Sequence, residues 1–452
     1  MPDPYSHRAI RRIALPMIIS SVTAPLLGMV DTAVMGHLDD AAYLGAVAAG
    51  ATVFSVVFMG LNFLRMGTTG ITAQAFGAGD RDTMRTALGQ PVFAALLLAT
   101  LILAIQQPLL DAALRLLAPS EGVGGLMQSY FSIRIWSAPA TLVNFALIGW
   151  LIGMQNARGP LVIMLITNVT NAVLDLFFVL VLGMTADGVA LATVIAELCG
   201  IIVAVWFVRR DLALYPGDWR RTEFLNPGSY RRLFHVNASL FLRTMALMFV
   251  FAFITAQGAR MGDIILATNA LLMNFQLFLS FALDGIAYAA EALAGKAVGA
   301  RDRAGLRRAV RRTLRWSLGF ATVFCIVYAV AGPAIIGMLT SIDALRATAG
   351  RFLPWLIVSP LISVWSFLYD GVYVGATRTR EMMIVMVGSA LLVFLPTWLA
   401  TGMLGNHGLW LAFTAFMLAR GVGMHVWFRR MIDGPALALD APVIRKPGST
   451  DA

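Results

Sequence analysis

Acidic side chains stand inside long apolar stretches of this sequence, where each costs about 3 kcal/mol unless it is shielded or neutralised. Asp31 lies in the first such stretch and Asp175 in a later one. Burial penalises the charged form of a carboxyl group, and a nearby carboxylate penalises it again. If the two acids face each other in a pocket without water, they can hold a proton or a cation but hardly both. Competition of this kind is the chemistry of antiport.

Amides and a hydroxyl accompany these acids at helical spacing. Asn168, Asn171 and Asp175 are spaced i, i+3 and i+7, which places them on one face of a helix. Thr193 lies on the next predicted helix and Asn144 on the preceding one. We expect Asn144, Asn171 and Thr193 to complete a cation- or proton-coupling site with the acids, and we assign Asn168 to a substrate cavity. The alternative is that the amides only join helices.

The second half of the sequence has fewer candidates. Asp284 and Asp370 are its clear buried acids, and we assign both to the substrate cavity. They could equally pair with Arg243 or Arg420, so a structural role stays open for each. Glu197, deeper in the sixth predicted helix, has no evident partner and is left unassigned.

Two prolines interrupt the stretch that carries Asp31. Pro16 and Pro25 each remove a backbone hydrogen bond and so permit a bend. We predict that they are the hinge positions of the first helix.

The composition identifies the elements that must hold these residues. The chain has 452 residues, of which 59% are hydrophobic and 13% charged, whereas soluble domains carry about 25% charged residues. At about 20 residues per crossing, the apolar runs predict an all-α integral membrane protein with twelve transmembrane helices. The predicted spans are 13–36, 42–66, 88–109, 128–152, 160–183, 187–209, 234–257, 263–291, 313–333, 352–374, 381–402 and 407–429.

Basic residues predict the orientation. Arginines cluster near the two termini, at the connection after the sixth helix and in the run 301–315, whereas the opposite loops hold only four. Since Lys and Arg accumulate on the cytoplasmic side, we expect a multi-pass protein of the cytoplasmic (inner) membrane with both termini cytoplasmic. The net charge of +10 is then a property of topology, and the run 301–315 is expected to be a loop facing anionic lipid rather than a nucleic-acid site.

The two halves of the chain repeat. The segment 73–88 matches 295–310, and a second block keeps the same register, because Gly77 matches Gly299 and Gly149 matches Gly371 at one constant offset in residue number. A shift of six helices preserves direction, so the repeats are expected to be parallel, around a pseudo-two-fold along the membrane normal. We predict six-helix lobes at 1–210 and 234–430, a cytoplasmic linker at 211–233 and a cytoplasmic tail at 431–452.

Motifs for other chemistries are missing from the sequence. There is no GxxxxGK[ST] nucleotide loop, no GxSxG nucleophile elbow and no HExxH spacing among the five histidines. We therefore expect no enzyme and no resident cofactor or metal.

Three segments resemble the multidrug and toxic compound extrusion (MATE) family, and in particular its DinF-like branch. They are LPMIISSVTAPLLGMVDTAVMGHL at 15–38, LDGIAYAAEALAGKAVGARD at 283–302 and DGVYVGATRTREM at 370–382. The resemblance spans about residues 8–430. It implies two six-helix bundles that form a V around a central cavity, and export of organic cations and other amphipathic drugs in exchange for protons or sodium ions.

The resemblance also assigns individual residues. Asp31 matches the family's first-helix acid, and the surrounding first-lobe amide, acid and hydroxyl match Asn171, Asp175 and Thr193. Pro16 matches the first-helix proline linked to bending, and Asp370 matches the tenth-helix acid. Relatives with a second-lobe cation site also carry a Glu on the seventh helix, which 234–257 lacks. Proton coupling through the first lobe is therefore favoured, with sodium as the alternative ion.

These observations predict a monomeric, proton-coupled exporter of small amphipathic or cationic molecules, surrounded by membrane lipid. A flippase for lipids or lipid-linked oligosaccharides is the alternative, because related flippases share this architecture. A membrane enzyme and a twelve-helix facilitator of another superfamily also stay open.

Overall fold

The computed structural model describes residues 3–36, 41–219, 227–434 and 437, without the side chains of 24–36, 41, 121, 229 and 232. Every regular element in these ranges is helical. The predicted all-α class is confirmed.

Sixteen α-helices make up the described chain, with short π or 3-10 turns inside some of the longer rods. They are α1 (His7–Gly36), α2 (Ala41–Leu61), α3 (Phe63–Ala78), α4 (Arg81–Ala104), α5 (Gln106–Leu117), α6 (Glu121–Arg134), α7 (Ala138–Gly153), α8 (Arg158–Leu176), α9 (Ala186–Leu214), α10 (Pro227–Arg260), α11 (Asp263–Gly299), α12 (Arg303–Leu339), α13 (Asp343–Gly375), α14 (Thr379–Ser389), α15 (Leu395–Thr401) and α16 (Asn406–Asp433).

Eleven helical rods within the described residues are long and apolar enough to cross a membrane. They correspond to the second to twelfth predicted spans, with α2 and α3 forming one rod and α6 and α7 another. The first predicted span, 13–36, lies in the 30-residue helix α1. The chain is therefore a multi-pass membrane protein.

The second crossing is longer than predicted. The expected span 42–66 continues to Ala78, because the polar residues that follow satisfy their own hydroxyl groups inside the helix. Thr68 donates to the carbonyl oxygen of Leu64 at 2.6 Å, and Thr69 donates to that of Arg65 at 2.9 Å. Hydropathy alone places the end of the crossing before these threonines, although they do not interrupt the backbone hydrogen bonds of the helix.

The prediction of a loop at 301–315 is wrong. Helix α12 begins at Arg303, and Asp302 caps it by accepting a hydrogen bond from the backbone nitrogen of Gly305 at 2.6 Å. A capped first turn lets the basic run continue directly into an apolar rod. The arginines from Arg303 onward therefore lie on a helix.

The described chain divides into two compact units. Unit A comprises 1–12, 70–80 and 246–452, and unit B comprises 13–69 and 81–245. Unit A packs around a core that includes Leu272, Leu356 and Phe416. Unit B packs around a core that includes Phe131 and Leu142. The predicted lobe boundaries stay a prediction.

The first residues of the chain pack on α12 within unit A. The Arg312 guanidinium forms an ion pair with Asp3 and donates to the Tyr5 carbonyl oxygen at 2.8 Å. The indole nitrogen of Trp316 donates to Nδ1 of His7 at 3.1 Å. These contacts fix the start of α1 on a helix of the second half of the sequence.

Helix α10 is the repeat counterpart of α1, and its start packs on the first half of the sequence. Tyr230 of α10 lies edge-on to Phe93 of α4 in unit B, with ring centroids 6.3 Å apart. The first helix of each half therefore begins against a helix of the other half.

Glycines at the repeat offset make reciprocal contacts between α3 and α11, both in unit A. A Cβ atom at Gly77 would overlap the carbonyl oxygen of Lys296, and one at Gly299 would overlap that of Gln74. Lys296 is the repeat counterpart of Gln74, so the two contacts are copies of one another. The sequence repeat is thus present in the packing.

A second pair of glycines repeats the same contact inside each unit. In unit B, a side chain at Gly149 would overlap the carbonyl oxygen of Arg65, and in unit A one at Gly371 would overlap that of Ala287. Ala287 follows Arg65 at the same offset at which Gly371 follows Gly149. Close backbone approach through small residues is characteristic of membrane helix packing.

Candidate functional site

The fifth and sixth membrane helices, α8 and α9, bring three of the predicted coupling residues together in unit B. Asp175 is fully buried, with 0% of its surface exposed, and Asn171 is 1% exposed. Nδ2 of Asn171 donates to Oγ1 of Thr193 at 3.3 Å. Thr193 in turn donates to the carbonyl oxygen of Val189 at 2.9 Å, which fixes its hydroxyl rotor. The amide and the hydroxyl therefore join α8 to α9 one turn from the Asp175 level.

Helix α8 changes its winding directly after Asp175. The residues 177–181 form a single π turn, closed by a hydrogen bond from the backbone nitrogen of Leu182 to the carbonyl oxygen of Phe177 at 3.1 Å. Such turns shift the helix register and are frequent at functional sites. The acid thus lies at the end of the regular part of its helix.

A further acid, which the sequence did not assign, lies next to Asn144. Asn144 is 4% exposed, and its Nδ2 atom donates to Oε2 of Glu197 at 3.0 Å and to the Glu197 carbonyl oxygen at 3.3 Å. The i, i+4 spacing from Thr193 to Glu197 already placed both on one face of α9. The sequence did not show that α7 places the amide of Asn144 beside Glu197.

A glycine allows this close approach. A Cβ atom at Gly200 would lie 2.5 Å from Oγ1 of Thr167 and 3.1 Å from Nδ2 of Asn144. Because glycine has no side chain, α9 can sit against α8 and α7 with the Asn144–Glu197 hydrogen bond intact.

Three buried oxygens around these residues have no hydrogen-bond donor in the described part of the chain. They are Oδ1 of Asn144, Oδ1 of Asn171 and Oγ1 of Thr167. A buried acceptor left in this way costs about 1–3 kcal/mol. Such oxygens suit a site that receives a proton-bearing group or a cation.

Two predicted site residues on α1 lie outside the described side chains. They are Asp31 and Pro25, so the expected approach of Asp31 to Asp175 stays a prediction. Pro16 is half-buried within α1, which is helical from His7 to Gly36. Its role as a hinge also stays a prediction.

Asn168 joins α8 to α1. Its Nδ2 atom donates to Oγ1 of Thr23 at 2.9 Å, and one turn earlier Ser20 donates to Sδ of Met164 at 2.6 Å. These contacts favour the alternative role of Asn168, as a link between helices, over the assigned role in a substrate cavity.

The acids of the second half differ in their surroundings. Asp370 is 7% exposed, and its Oδ2 atom accepts a hydrogen bond from Nη2 of Arg420 at 3.0 Å. The guanidinium also lies over the ring of Phe416, 5.3 Å from its centroid. Of the two roles left open for Asp370, this ion pair favours the structural one. Asp284 is half-buried on α11, and its role stays open.

A metal centre is not found within the described ranges. No three His, Cys, Asp or Glu side chains there lie close enough together to hold an ion. The carboxylates and amides of unit B are therefore the groups whose chemistry needs an account.

The family model described as MatE matches this chain twice, at residues 16–177 and 239–399. The chain belongs to the MatE family. The second match follows the first at nearly the offset of the sequence repeat, so the family model and the repeat divide the chain in the same way. Together the two matches cover most of the membrane-spanning chain, and the predicted MATE family is confirmed.

Curated relatives in the MatE family include one of high similarity. "DNA damage-inducible protein F" of Escherichia coli is 44% identical over 427 residues, which are 94% of this chain and 92% of that protein. This similarity confirms the DinF-like branch. "Probable multidrug resistance protein NorM" of Rhizobium meliloti is 24% identical over 95% of this chain and 94% of that protein.

Solved structures share the MatE fold over nearly the whole chain. A structure described as "Outward-facing conformation of a multidrug resistance MATE family transporter of the MOP superfamily" has a TM-score of 0.86 at 20% identity, and covers 97% of each chain. Another, "Crystal structure of MATE in the bent conformation", has a TM-score of 0.84 at 18% identity and covers 98% of each chain. The fold agrees with the family match and the curated relatives, which confirm the predicted class of protein, a membrane transporter.

Proposed function

We propose that this MatE-family chain is a secondary active exporter that exchanges protons for organic cations and amphipathic drugs across the cytoplasmic membrane. One curated relative named above is called a probable multidrug resistance protein, and one similar solved structure is called a multidrug resistance transporter, which supports the class of substrate. The observation that carries the coupling is the full burial of Asp175, an acid with 0% exposure, one turn from the Asn171–Thr193 hydrogen bond.

The chemistry follows from the cost of a buried charge. A carboxylate inside a membrane protein is favoured only while a cation or a hydrogen-bond donor compensates it, and protonation removes that cost. A cationic substrate and a proton can therefore alternate at Asp175. We propose that Asp31 contributes the second carboxyl group and that α1 bends near Pro16 when the site becomes neutral.

The surrounding polar groups would keep Asp175 in place through both charge states. Asn171 offers a donor to Thr193 and a buried Oδ1 acceptor. An amide can serve a carboxylate or a carboxylic acid equally, because it carries a donor and an acceptor. The site can thus change charge without losing its hydrogen-bonded frame.

A proton is favoured over sodium as the coupling ion. No acidic residue occurs on α10 between 234 and 257 to build a second cation site. We propose H+ as the coupling ion and no resident cofactor, with a monomer as the working unit and both termini on the cytoplasmic side.

Purified protein in liposomes tests this function directly. Ethidium uptake is measured with an imposed pH gradient, with an imposed sodium gradient, and with neither. We expect transport with the pH gradient, and a loss of at least tenfold in Asp175→Asn and in Asp31→Asn. Asp343→Asn, on an exposed acid of α13, should transport like the unaltered protein.

Two results would contradict the proposal. Transport driven by sodium alone would replace the proton as the coupling ion. Undiminished proton-driven transport by Asp175→Asn would remove the residue that carries the argument. Equal yields and melting temperatures of the variants, measured in detergent, ensure that a loss of transport is not a loss of folded protein.

A further inference from the structure

Glu197 is a membrane-embedded acid. In the described part of the chain, its carboxylate accepts a side-chain hydrogen bond from an amide, that of Asn144. Glu197 lies close to the middle of the 29-residue helix α9, which crosses the membrane. Nδ2 of Asn144 donates to its Oε2 atom at 3.0 Å. Nothing in the proposed exchange at Asp175 uses this acid, although placing a carboxylate there costs about 3 kcal/mol.

The position of Glu197 follows from the helix geometry. It is four residues beyond Thr193, so the two lie about 6 Å apart along the axis of α9 and on the same face. Under the predicted topology, the end of α9 that carries Arg209 and Arg210 is cytoplasmic. Glu197 is therefore one turn closer to the cytoplasm than the Asn171–Thr193 contact.

The kind of partner determines what an acid can do. Asp370 faces the Arg420 guanidinium, which is always charged and can only donate, so this partner offers Asp370 no acceptor. Asn144 has no charge and presents a donor and an acceptor. Its Oδ1 atom is buried and has no donor in the described part of the chain. This amide can therefore receive Glu197 as a carboxylate through Nδ2 and as a carboxylic acid through Oδ1.

Charged and titratable groups also occur on the helices that pack against α9. These groups are Arg158 and Asp175 on α8, Glu121, Tyr130 and Arg134 on α6, and Tyr43 on α2. The side chain of Glu121 lies outside the described residues. Arg134 lies over the rings of Phe54 and Phe58, at 5.2 and 5.6 Å from their centroids, and α7 has no charged residue. The carboxylate of Glu197 is thus hydrogen-bonded to a neutral amide, whereas that of Asp370 is paired with a cation.

We infer that Glu197 is a second proton-carrying residue, which passes protons between the Asp175 level and the cytoplasm, with Asn144 as its positioning partner. This inference rests on the proposed proton exchange. A proton released from a carboxyl oxygen at the Asp175 level crosses the two intervening helical turns on water molecules, bonds to a carboxyl oxygen of Glu197, and then leaves Glu197 for cytoplasmic water. Each acid returns to its starting charge, and one proton has moved inward.

A spectroscopic titration tests whether Glu197 takes up a proton, without any transport assay. Infrared difference spectra of the purified protein are recorded from about pH 4 to about pH 9, which spans the ordinary and burial-shifted range of carboxyl groups. We expect Glu197→Gln to remove one protonated-carboxyl band and Glu197→Asp to keep a shifted one. Asn144→Leu should move the band, and Cys199→Ser, on the same helix, should leave it in place. No difference between Glu197→Gln and the unaltered protein would overturn the inference.

Transport in liposomes then separates this inference from the proposed function. With an imposed pH gradient, Glu197→Gln should move ethidium at least tenfold more slowly and with a flatter pH profile. Binding of ethidium, followed by its fluorescence anisotropy, should change less than twofold. If the unaltered protein shows proton-driven uptake and Glu197→Gln matches its rate and pH profile, the relay is wrong while the function stands. If the unaltered protein shows none, the proposed function fails, and the infrared titration still decides whether Glu197 titrates.

Discussion

Nη2 of Arg420 lies 3.0 Å from Oδ2 of Asp370, and both side chains are almost entirely buried in unit A. Two membrane acids in the described part of the chain thus have different partners. Asp370 is neutralised by a fixed cation, whereas Glu197 faces an amide. Protonation of Asp370 would leave the Arg420 guanidinium as an isolated ion in a low-dielectric interior, whereas protonation of Glu197 leaves a neutral acid–amide pair.

Breaking the Asp370–Arg420 pair should destabilise the fold. Asp370→Asn leaves a buried guanidinium uncompensated, which costs about 3–5 kcal/mol. We expect a lower melting temperature and a lower yield in detergent, and a large recovery in the double variant Asp370→Leu with Arg420→Met. Asp343→Asn breaks an exposed pair with Arg346 and should cost less than about 1 kcal/mol. An unchanged melting temperature in Asp370→Asn would show that the pair is not structural.

The reciprocal glycine contacts predict two equally costly substitutions. Alanine at Gly77 or Gly299 would push its Cβ into a backbone carbonyl of the facing helix, which cannot rotate away. We expect each to lower the free energy of unfolding by about 1–3 kcal/mol. Gly319→Ala, where nothing lies within 4 Å of the added atom, should be neutral or slightly stabilising. Thermal unfolding in detergent checks the three variants, and similar values for all of them would contradict the packing.

Gly200→Ala should impair transport more than stability. Its Cβ atom would meet the ends of two side chains, Thr167 and Asn144, which can move. Displacing Asn144 breaks its hydrogen bond to Glu197, worth about 1 kcal/mol. We therefore expect proton-driven ethidium uptake to fall about fivefold, whereas the free energy of unfolding should fall by no more than about 1 kcal/mol. A loss of stability without a change in transport would point to packing alone.

The docking of the first residues on α12 should withstand mild acid. The hydrogen bond from Arg312 holds the pKa of Asp3 below its ordinary value of 3.8. A lowered pKa contributes stability that is complete above the ordinary value and is lost only as the pH falls through the lowered one. We expect hydrogen exchange of residues 3–12, corrected for its intrinsic rate, to be equally protected at about pH 5 and about pH 7. Asp3→Asn should reduce protection at both.

The alkaline limit of the same contact depends on Tyr5. Burial raises the pKa of Tyr5 to about 12. The stability from the neutral form of Tyr5 is complete below its ordinary pKa of 10.0 and is lost as the pH rises from there towards the raised pKa of about 12. For the Asp3 prediction of the preceding paragraph, the contradicting result is a loss of hydrogen-exchange protection at residues 3–12 already at about pH 5.

Most of the fold could be predicted from hydropathy and spacing. Apolar length determines where a helix crosses a membrane, and the repeat was visible at a constant offset because glycines such as Gly77 and Gly299 must stay small. The end of α3 and the start of α12 were misplaced for a local reason. Thr68 and Asp302 make hydrogen bonds with nearby backbone, and hydropathy does not register such bonds.

The candidate site was predictable only in part. The face shared by Asn171 and Asp175 follows from the helical period. The sequence assigned Asn171 and Thr193 to one coupling site, but it did not predict the hydrogen bond between them. The sequence offered arginine partners for Asp370 and none for Glu197, but it did not decide the role of either acid. Their roles depend on whether a neighbouring helix supplies an amide or a guanidinium at the same depth.

The reciprocal contacts of Gly77 with Lys296 and of Gly299 with Gln74 bear on the ancestry of the chain. A contact in which residue i meets residue j while j meets i is the signature of a symmetric homodimer. A forebear with one copy of the repeat could make both contacts only by associating with a second identical polypeptide and exchanging helix ends with it. Gene fusion would then have turned an intermolecular interface into an intramolecular one. Each copy could then diverge, and today the first holds Asp31 and Asp175 where the second holds Phe253 and Thr397.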